Sequence, residues 1–202
     1  MHRLKVYLAG PDVFFPDAIA IGDRKKTLCE AYGFIGLFPF DSEAENTSPG
    51  ERVDHLIYHE NLVMIRSVDL GIFNLTPFRG ISADPGTVFE LGMMIGLGKP
   101  AFGYSNESGD LLDRMRQKGL VEFKNNAWCD HNGMKVEDFG NADNLMIDAS
   151  LATSGHPIVR HAVTQDQRYH DLGGFEECLR MARSSLMATQ SSPESEVLPR
   201  AV

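Results

Sequence analysis

Four short apolar runs, each bounded by turn-forming residues, constrain the kind of sheet this chain can build. Leu4–Ala9 stops at Gly10-Pro11, Phe34–Phe38 stops at Pro39, Leu70–Leu75 follows Asp69, and Ala101–Tyr104 follows Pro100. Runs this short read as strands rather than helices. Between them lie helix-length stretches with apolar residues at helical intervals. Pro16–Ala31 ends at Gly33, Glu51–Ser67 carries Leu56 and Val63, and Asp84–Gly98 fills the third gap. Asp110–Lys118 and Gly173–Met187 read as two further helices. Strands alternating with helices predict an α/β fold, a flavodoxin-like or Rossmann-like parallel sheet with helices on both faces. Ligands of such sheets sit at the carboxyl ends of the strands. Tyr7–Gly10, Leu75–Asp84 and Tyr104–Asn106 lie at those ends.

The remaining stretches carry less pattern. Residues 41–50 form a polar loop, and 124–150, rich in Asn, Asp and Gly, has no strong periodicity. A long irregular segment inside a compact domain is often functional. The expected organisation is one domain over 1–187 and a disordered tail over 188–202.

Charge and cysteine content exclude several classes. With a net charge of −9, the chain lacks the basic stripe of a nucleic-acid binder. Cys29, Cys129 and Cys178 are odd in number and widely spaced, which argues against a disulfide framework or a zinc site and for a reducing compartment. The first residues hold too short an apolar run for a signal peptide, and no stretch approaches a membrane span. The expectation is a soluble, cytoplasmic protein with neither nucleic-acid nor membrane partners.

The segment Gly80–Pro100 carries the clearest chemical signal. Asp84 precedes Pro85, the arrangement of an N-cap followed by proline in the first turn. Glu90 falls inside the helix, with Met94 at i+4 and Leu97 at i+7, and no charged residue follows it until Lys99. A carboxylate on an apolar, glycine-rich helix is costly unless something satisfies or uses it. A phosphate loop fits poorly, because neither GxxxxGK[ST] nor GxGxxG is present and Asp84 would repel a phosphate. Two readings stay open on these residues alone: a cap followed by an oddly placed glutamate, or a carboxylate nucleophile near a helix N-terminus.

Four ordered motifs bear on that choice. YLAGPDVF at 7–14, HENLVMIRSVD at 59–69, SADPGTVFELG at 82–92 and DNLMI at 143–147 resemble the nucleoside 2-deoxyribosyltransferases over residues 5–150. GKPAFGYSN and VEDFG are similar to the branch found in protozoa and some bacteria. The resemblance implies a retaining two-step exchange without cofactor or metal, in which a glutamate attacks C1′ of a 2′-deoxynucleoside and a second base collects the sugar. It implies Glu90 as nucleophile, Asp84 as the acid that passes a proton to or from the base, and Tyr7 as the residue that orients the nucleophile. Asn144 matches the asparagine that holds the sugar 5′-hydroxyl from a neighbouring subunit, which implies a homo-oligomer. Gly10, Asp12, Phe14 and Met146 fall at matching substrate-binding positions, although Phe14 reads equally well as a packing residue. Several relatives carry a second Asp where this chain has Asn61; an amide cannot shuttle protons, so Asn61 is expected only as a base contact. Asp12 and Asn144 replace the phosphate contacts of monophosphate-hydrolysing members, so free nucleosides and nucleobases are the expected ligands. An N-glycosidase of the same fold, and a non-catalytic domain that senses nucleoside derivatives, are the alternatives.

Other candidates point to no site. His55 and His59 stand at i, i+4, but HLIYH lacks the glutamate of HExxH and a third ligand. Glu51, Asp54, His55 and Glu60 read as a solvent face. Cys129 and His131 are too close in sequence to pair usefully, Asp69 reads as a helix end or backbone partner, and Trp128 is unassigned.

Overall fold

Each apolar run becomes a central strand because parallel strands buried on both faces need continuous hydrophobic sequence. In the computed structural model, which describes residues 3–41 and 52–191, the elements run β1 (Lys5–Ala9), α1 (Ala18–Ala31), β2 (Ile35–Leu37), α2 (Val53–Ser67), β3 (Leu70–Asn74), α3 (Pro85–Gly96), β4 (Ala101–Ser105), α4 (Leu111–Gln117), β5 (Val121–Lys124), β6 (Ala127–Asp130), α5 (Leu145–Thr153), β7 (Val159–Arg160) and α6 (Gly173–Ser191). Five strands form one all-parallel sheet in the order β2-β1-β3-β4-β7. Counted within this sheet, that is the 2-1-3-4-5 order of flavodoxin-like folds, whose ligand crevice opens between the first and third strands.

Alternation along β1 divides the core in two. Val6 and Leu8 face α1 and α6, among Ile72, Phe102, Cys29, Phe175 and Leu179. Tyr7 and Ala9 face α2, α3 and α5, among Phe73, Ile65, Leu91, Met94 and Leu151. The helices therefore cover both faces, as the alternation predicts. A Cβ at Gly103 would stand 2.7 Å from Leu151 Cδ1, so a glycine in β4 lets α5 approach the sheet.

Four parts of the sequence fold differently from expectation. Residues 121–130 form an antiparallel hairpin, turning on Asn125 and Asn126 at φ of 52° and 62°. Two left-handed residues in a two-residue turn match the twist of the strands, and Asn tolerates that conformation. Helix α5 begins at Asn144, whose side chain accepts from Met146 N. The short edge strand β7 also had no periodic signal. At the C-terminus α6 continues to Ser191, past the expected end at Met187. The polar loop beyond Asp41, the expected helix start at Glu51 and the tail from 192 onward lie outside the described residues.

A buried polar chain closes the carboxyl end of the sheet. Lys25, on α1, places Nζ 2.6 Å from Asp12 Oδ2, and both side chains are almost fully buried. Asn74 Nδ2 donates to Asp12 Oδ1 at 3.1 Å, Thr76 N to Asn74 Oδ1 at 3.1 Å, and Asn106 N to Thr76 Oγ1 at 3.0 Å. Asn106 Nδ2 then donates to the carbonyls of Arg168 and Asp171. Gly10 fits beneath this chain only without a side chain, because a Cβ would sit 2.6 Å from Asn74 Cβ and collide with the Asp12 carboxylate.

Removing one partner of a buried ion pair strands the other charge. Lys25→Met is expected to lower unfolding stability by ~3–5 kcal/mol, and adding Asp12→Asn should recover a large part of that loss. Denaturant unfolding of the three proteins checks this; a single-variant loss below ~1 kcal/mol contradicts the ion pair's importance.

Candidate active site

Glu90 lies in the second turn of α3, where helical spacing turns it toward β1 and α2. It is half-buried. Tyr7, fully buried on β1, donates its hydroxyl to Glu90 Oε1 at 2.7 Å. Asn61, on α2, donates Nδ2 to the same oxygen at 3.2 Å. Three elements thus converge on one carboxylate. Burial pushes Glu90 up from 4.5 to about 7, with the nearby Asp84 charge adding to the rise while the Tyr7 and Asn61 hydrogen bonds oppose it. Burial, then the Glu90 charge and its hydrogen bond, push the Tyr7 phenol far above its ordinary value, so it stays a donor.

Asp84 is the N-cap of α3. Its Oδ2 accepts from Thr87 N at 3.0 Å and Thr87 Oγ1 at 3.2 Å. These bonds satisfy a free amide of the first turn, and no described residue donates to Oδ1. The Asp84-Pro85 reading of the sequence therefore matches the observed cap.

The loop before Asp84 is anchored from a distance. Asp143, 1 % exposed, accepts from Ser82 Oγ, from Ala83 N at 2.8 Å and from Asn144 N at 2.8 Å. Arg114 stands 3.7 Å from the same carboxylate and donates to the carbonyls of Ile81, Gly109 and Ala142 at 2.6–2.9 Å. Lys99 Nζ caps α2 by donating to the carbonyls of Ile65, Arg66 and Val68. Sequence reasoning missed Asp143, Arg114 and Lys99. Lys99 alone carried a usable signal, a lone cation just past an apolar helix.

The other expected residues are placed less uniformly. Asp12 is not at the surface of the site: it is fully buried on Lys25 and Asn74, so a role in touching substrate is corrected to one in holding the loop after β1. Its charge is matched there, which removes the argument that it would repel a phosphate. Gly10 is likewise explained by close packing. Asn61 meets the carboxylate of Glu90 rather than open space above it. Phe14 is 51 % exposed and stacks on Phe78, with ring centroids 5.4 Å apart and planes 9° from parallel, and the Arg79 guanidinium lies 4.7 Å from both rings. Asn144 and Met146 are exposed at the start of α5; Asn144 Nδ2 donates to Glu137 Oε1 at 2.7 Å and makes no hydrogen bond to Tyr7, Asp84 or Glu90. Glu60 departs from the expected solvent face: it is half-buried, and its Oε2 is enclosed without a hydrogen-bond partner. Asp69 accepts from Lys5 N at 2.7 Å, the backbone role the sequence indicates.

A raised carboxyl pKa is also a statement about stability. Glu90 favours the folded state most below its ordinary 4.5 and loses that advantage as pH rises through about 7. Glu90→Gln is therefore expected to stabilise the protein by ~1–3 kcal/mol at pH 8 and to change little at pH 4. Thermal or denaturant unfolding at the two pH values checks the sign; equal effects at both contradict it.

Comparison with known proteins identifies the family and the fold. The profile of the family Nucleoside 2-deoxyribosyltransferase matches residues 6–146. The uncharacterised protein C191.05c of Schizosaccharomyces pombe is 32 % identical over 169 residues, covering 74 % of this chain and 78 % of the yeast protein. Among solved structures, the 2-desoxiribosyltransferase of Leishmania mexicana is 32 % identical, with a TM-score of 0.55 over 71 % of this chain and 85 % of its own. A conserved protein of Enterococcus faecalis V583, at 16 % identity, shares the fold over 90 % of this chain and 99 % of its own, with a TM-score of 0.52. The profile match across residues 6–146, together with the parallel-sheet fold shared with the Leishmania mexicana structure, places this chain in the nucleoside 2-deoxyribosyltransferase family.

Proposed function

We propose that the protein exchanges the bases of 2′-deoxyribonucleosides through a deoxyribosyl ester on Glu90. The observation that carries this reading is the Tyr7–Glu90 hydrogen bond of 2.7 Å, which holds a half-buried carboxylate by a donor that does not ionise. In the first step Glu90 forms a bond to C1′ as the C1′–N bond breaks. The base leaves with that electron pair and takes a proton through Asp84. A second base then attacks C1′ from the face the first one left, releasing Glu90. Two inversions give retention, as in retaining glycosidases.

The position of Asp84 supports its part. As the cap of the same helix it is near enough to raise the pKa of Glu90, and no described residue donates to its Oδ1. Phe14 places a half-exposed aromatic ring, stacked on Phe78, beyond the carboxyl end of β1. The small molecules expected are 2′-deoxynucleosides and nucleobases. Among the described residues no helix is long and apolar enough to cross a membrane.

We assign Asn144 to a neighbouring copy's site, because it is exposed and its side-chain amide bonds to Glu137 rather than to its own Glu90. Exposed apolar side chains on the same elements support an oligomer: Ile57 and Tyr58 on α2, Phe89 on α3, and Met146 on α5. Sedimentation should give a dimer or larger species, and Asn144→Ala should weaken nucleoside turnover without dissociating it. A fully active monomer contradicts this arrangement.

Incubating a 2′-deoxynucleoside with a different free base should yield a new nucleoside, with a deoxyribosyl adduct on the Glu90 peptide by mass spectrometry. Glu90→Ala should lower exchange by about 10⁴-fold or more while leaving the circular dichroism unchanged. Formation of only free 2-deoxyribose would assign hydrolysis instead, and near-normal turnover by Glu90→Ala would remove the nucleophile. Because Glu90 must be ionised to attack, kcat/KM should fall about tenfold per pH unit below pH 7.

A further inference from the structure

Both donors that reach Glu90 converge on one of its two oxygens. Tyr7 and Asn61 donate to Oε1 at 2.7 and 3.2 Å from two different elements, β1 and α2, and no described residue donates to Oε2. A carboxylate gripped in this way cannot rotate about its terminal bond without losing both hydrogen bonds. We propose that Asn61 is a positioning residue for the nucleophile rather than a base contact, and that Oε2 is the oxygen that bonds to C1′. The proposal rests on the glycosyl-exchange reading of the same site.

The bond changes follow directly. A lone pair of Oε2 forms the bond to C1′, the C1′–N electron pair leaves with the base, and the base is protonated through Asp84. Oε1 becomes the carbonyl oxygen of the ester and keeps both of its hydrogen bonds, since an ester carbonyl accepts as a carboxylate does. Nothing in the binding of Oε1 has to rearrange during the step. When the second base attacks C1′, its N–H proton passes to Asp84, which restores the acid, and the C1′–O electron pair returns to Oε2.

The amide is also the right neighbour electrostatically. The groups that act on Glu90 are Tyr7 from β1, Asn61 from α2 and Asp84 from its own helix, and no described Lys, Arg or His pairs with it. One like charge already faces the nucleophile. A second carboxylate 3.2 Å away at position 61 would compete for the same proton, whereas the amide favours the ionised form.

Single-turnover base release by the full-length protein, across purine and pyrimidine 2′-deoxynucleosides, separates the two roles of Asn61. Asn61→Leu is expected to slow release at saturating substrate about ten- to a hundredfold, by a similar factor for every base, with KM little changed. Asn61→Asp should move the acidic limb of kcat/KM upward by about one unit or more. This second variant also covers the case in which Asn61→Leu fails to fold. A KM increase that depends on the base, with the acidic limb unmoved, would falsify the positioning role and return Asn61 to base recognition. Wild-type protein that forms no adduct on Glu90 overturns the exchange reading itself, and this proposal with it; adduct formation combined with base-selective defects overturns the proposal alone.

Discussion

One buried ammonium group, Lys25 Nζ, holds together the end of the sheet on which the site is built. Moving a lysine and an aspartate out of water costs several kcal/mol per ion, and the cost is offset only by close contact and full hydrogen bonding. Asp12 meets those conditions: Lys25 occupies one oxygen and Asn74 the other. Asn74, Thr76 and Asn106 extend the chain across β3 and β4 to the carbonyls before α6. The loop after β1 is thereby fixed to β3, and the strand that carries Tyr7 enters the site in a set position. Gly10 is the steric counterpart of this arrangement, since any side chain there would separate the two strand ends.

Two further anchors act on the elements that meet β1. Lys99 spends its donors on the last carbonyls of α2, which fixes the helix that presents Asn61. Arg114 and Asp143 tie the loop before Asp84 to the loop before Asn144. All of these contacts go to backbone groups or to buried partners, so they set geometry without entering the chemistry. Placement of reacting groups before substrate arrives is where much of an enzyme's advantage originates.

How much of this was legible in the sequence depended on the range of the interaction. Asp84-Pro85 specified its cap through contacts three residues away, and it folds as it reads. The strands were legible because burial on both faces leaves a local hydrophobic signature. The hairpin at 121–130 and α5 were missed for different reasons. Asn125-Asn126 is a turn signal without strong alternation around it, and LMIDASLAT is too uniformly apolar to show a helical stripe. Tyr7 and Glu90 stand 83 positions apart, so their pairing was legible through the family resemblance and not through any local pattern. Asp12 shows the same limit: a residue type states what it can bond to, while burial and distant partners decide what it does bond to. Arg114 gives the plainest case, an ordinary helix arginine by sequence and a buried anchor in the fold.

The absence of a cation beside Glu90, among the described residues, is consistent with the chemistry proposed for it. An arginine or lysine would hold the carboxylate ionised more firmly than two neutral donors do, but it would also occupy the second oxygen and lower its nucleophilicity. It would further oppose the positive charge that develops at C1′ in an oxocarbenium-like transition state. A phenol and an amide avoid both effects, at the expense of a carboxyl pKa pushed up to about 7. The raised pKa is thus the consequence of burying a carboxylate beside the Asp84 charge with neutral hydrogen bonds alone, and in the proposed exchange that same Asp84 would serve the departing base.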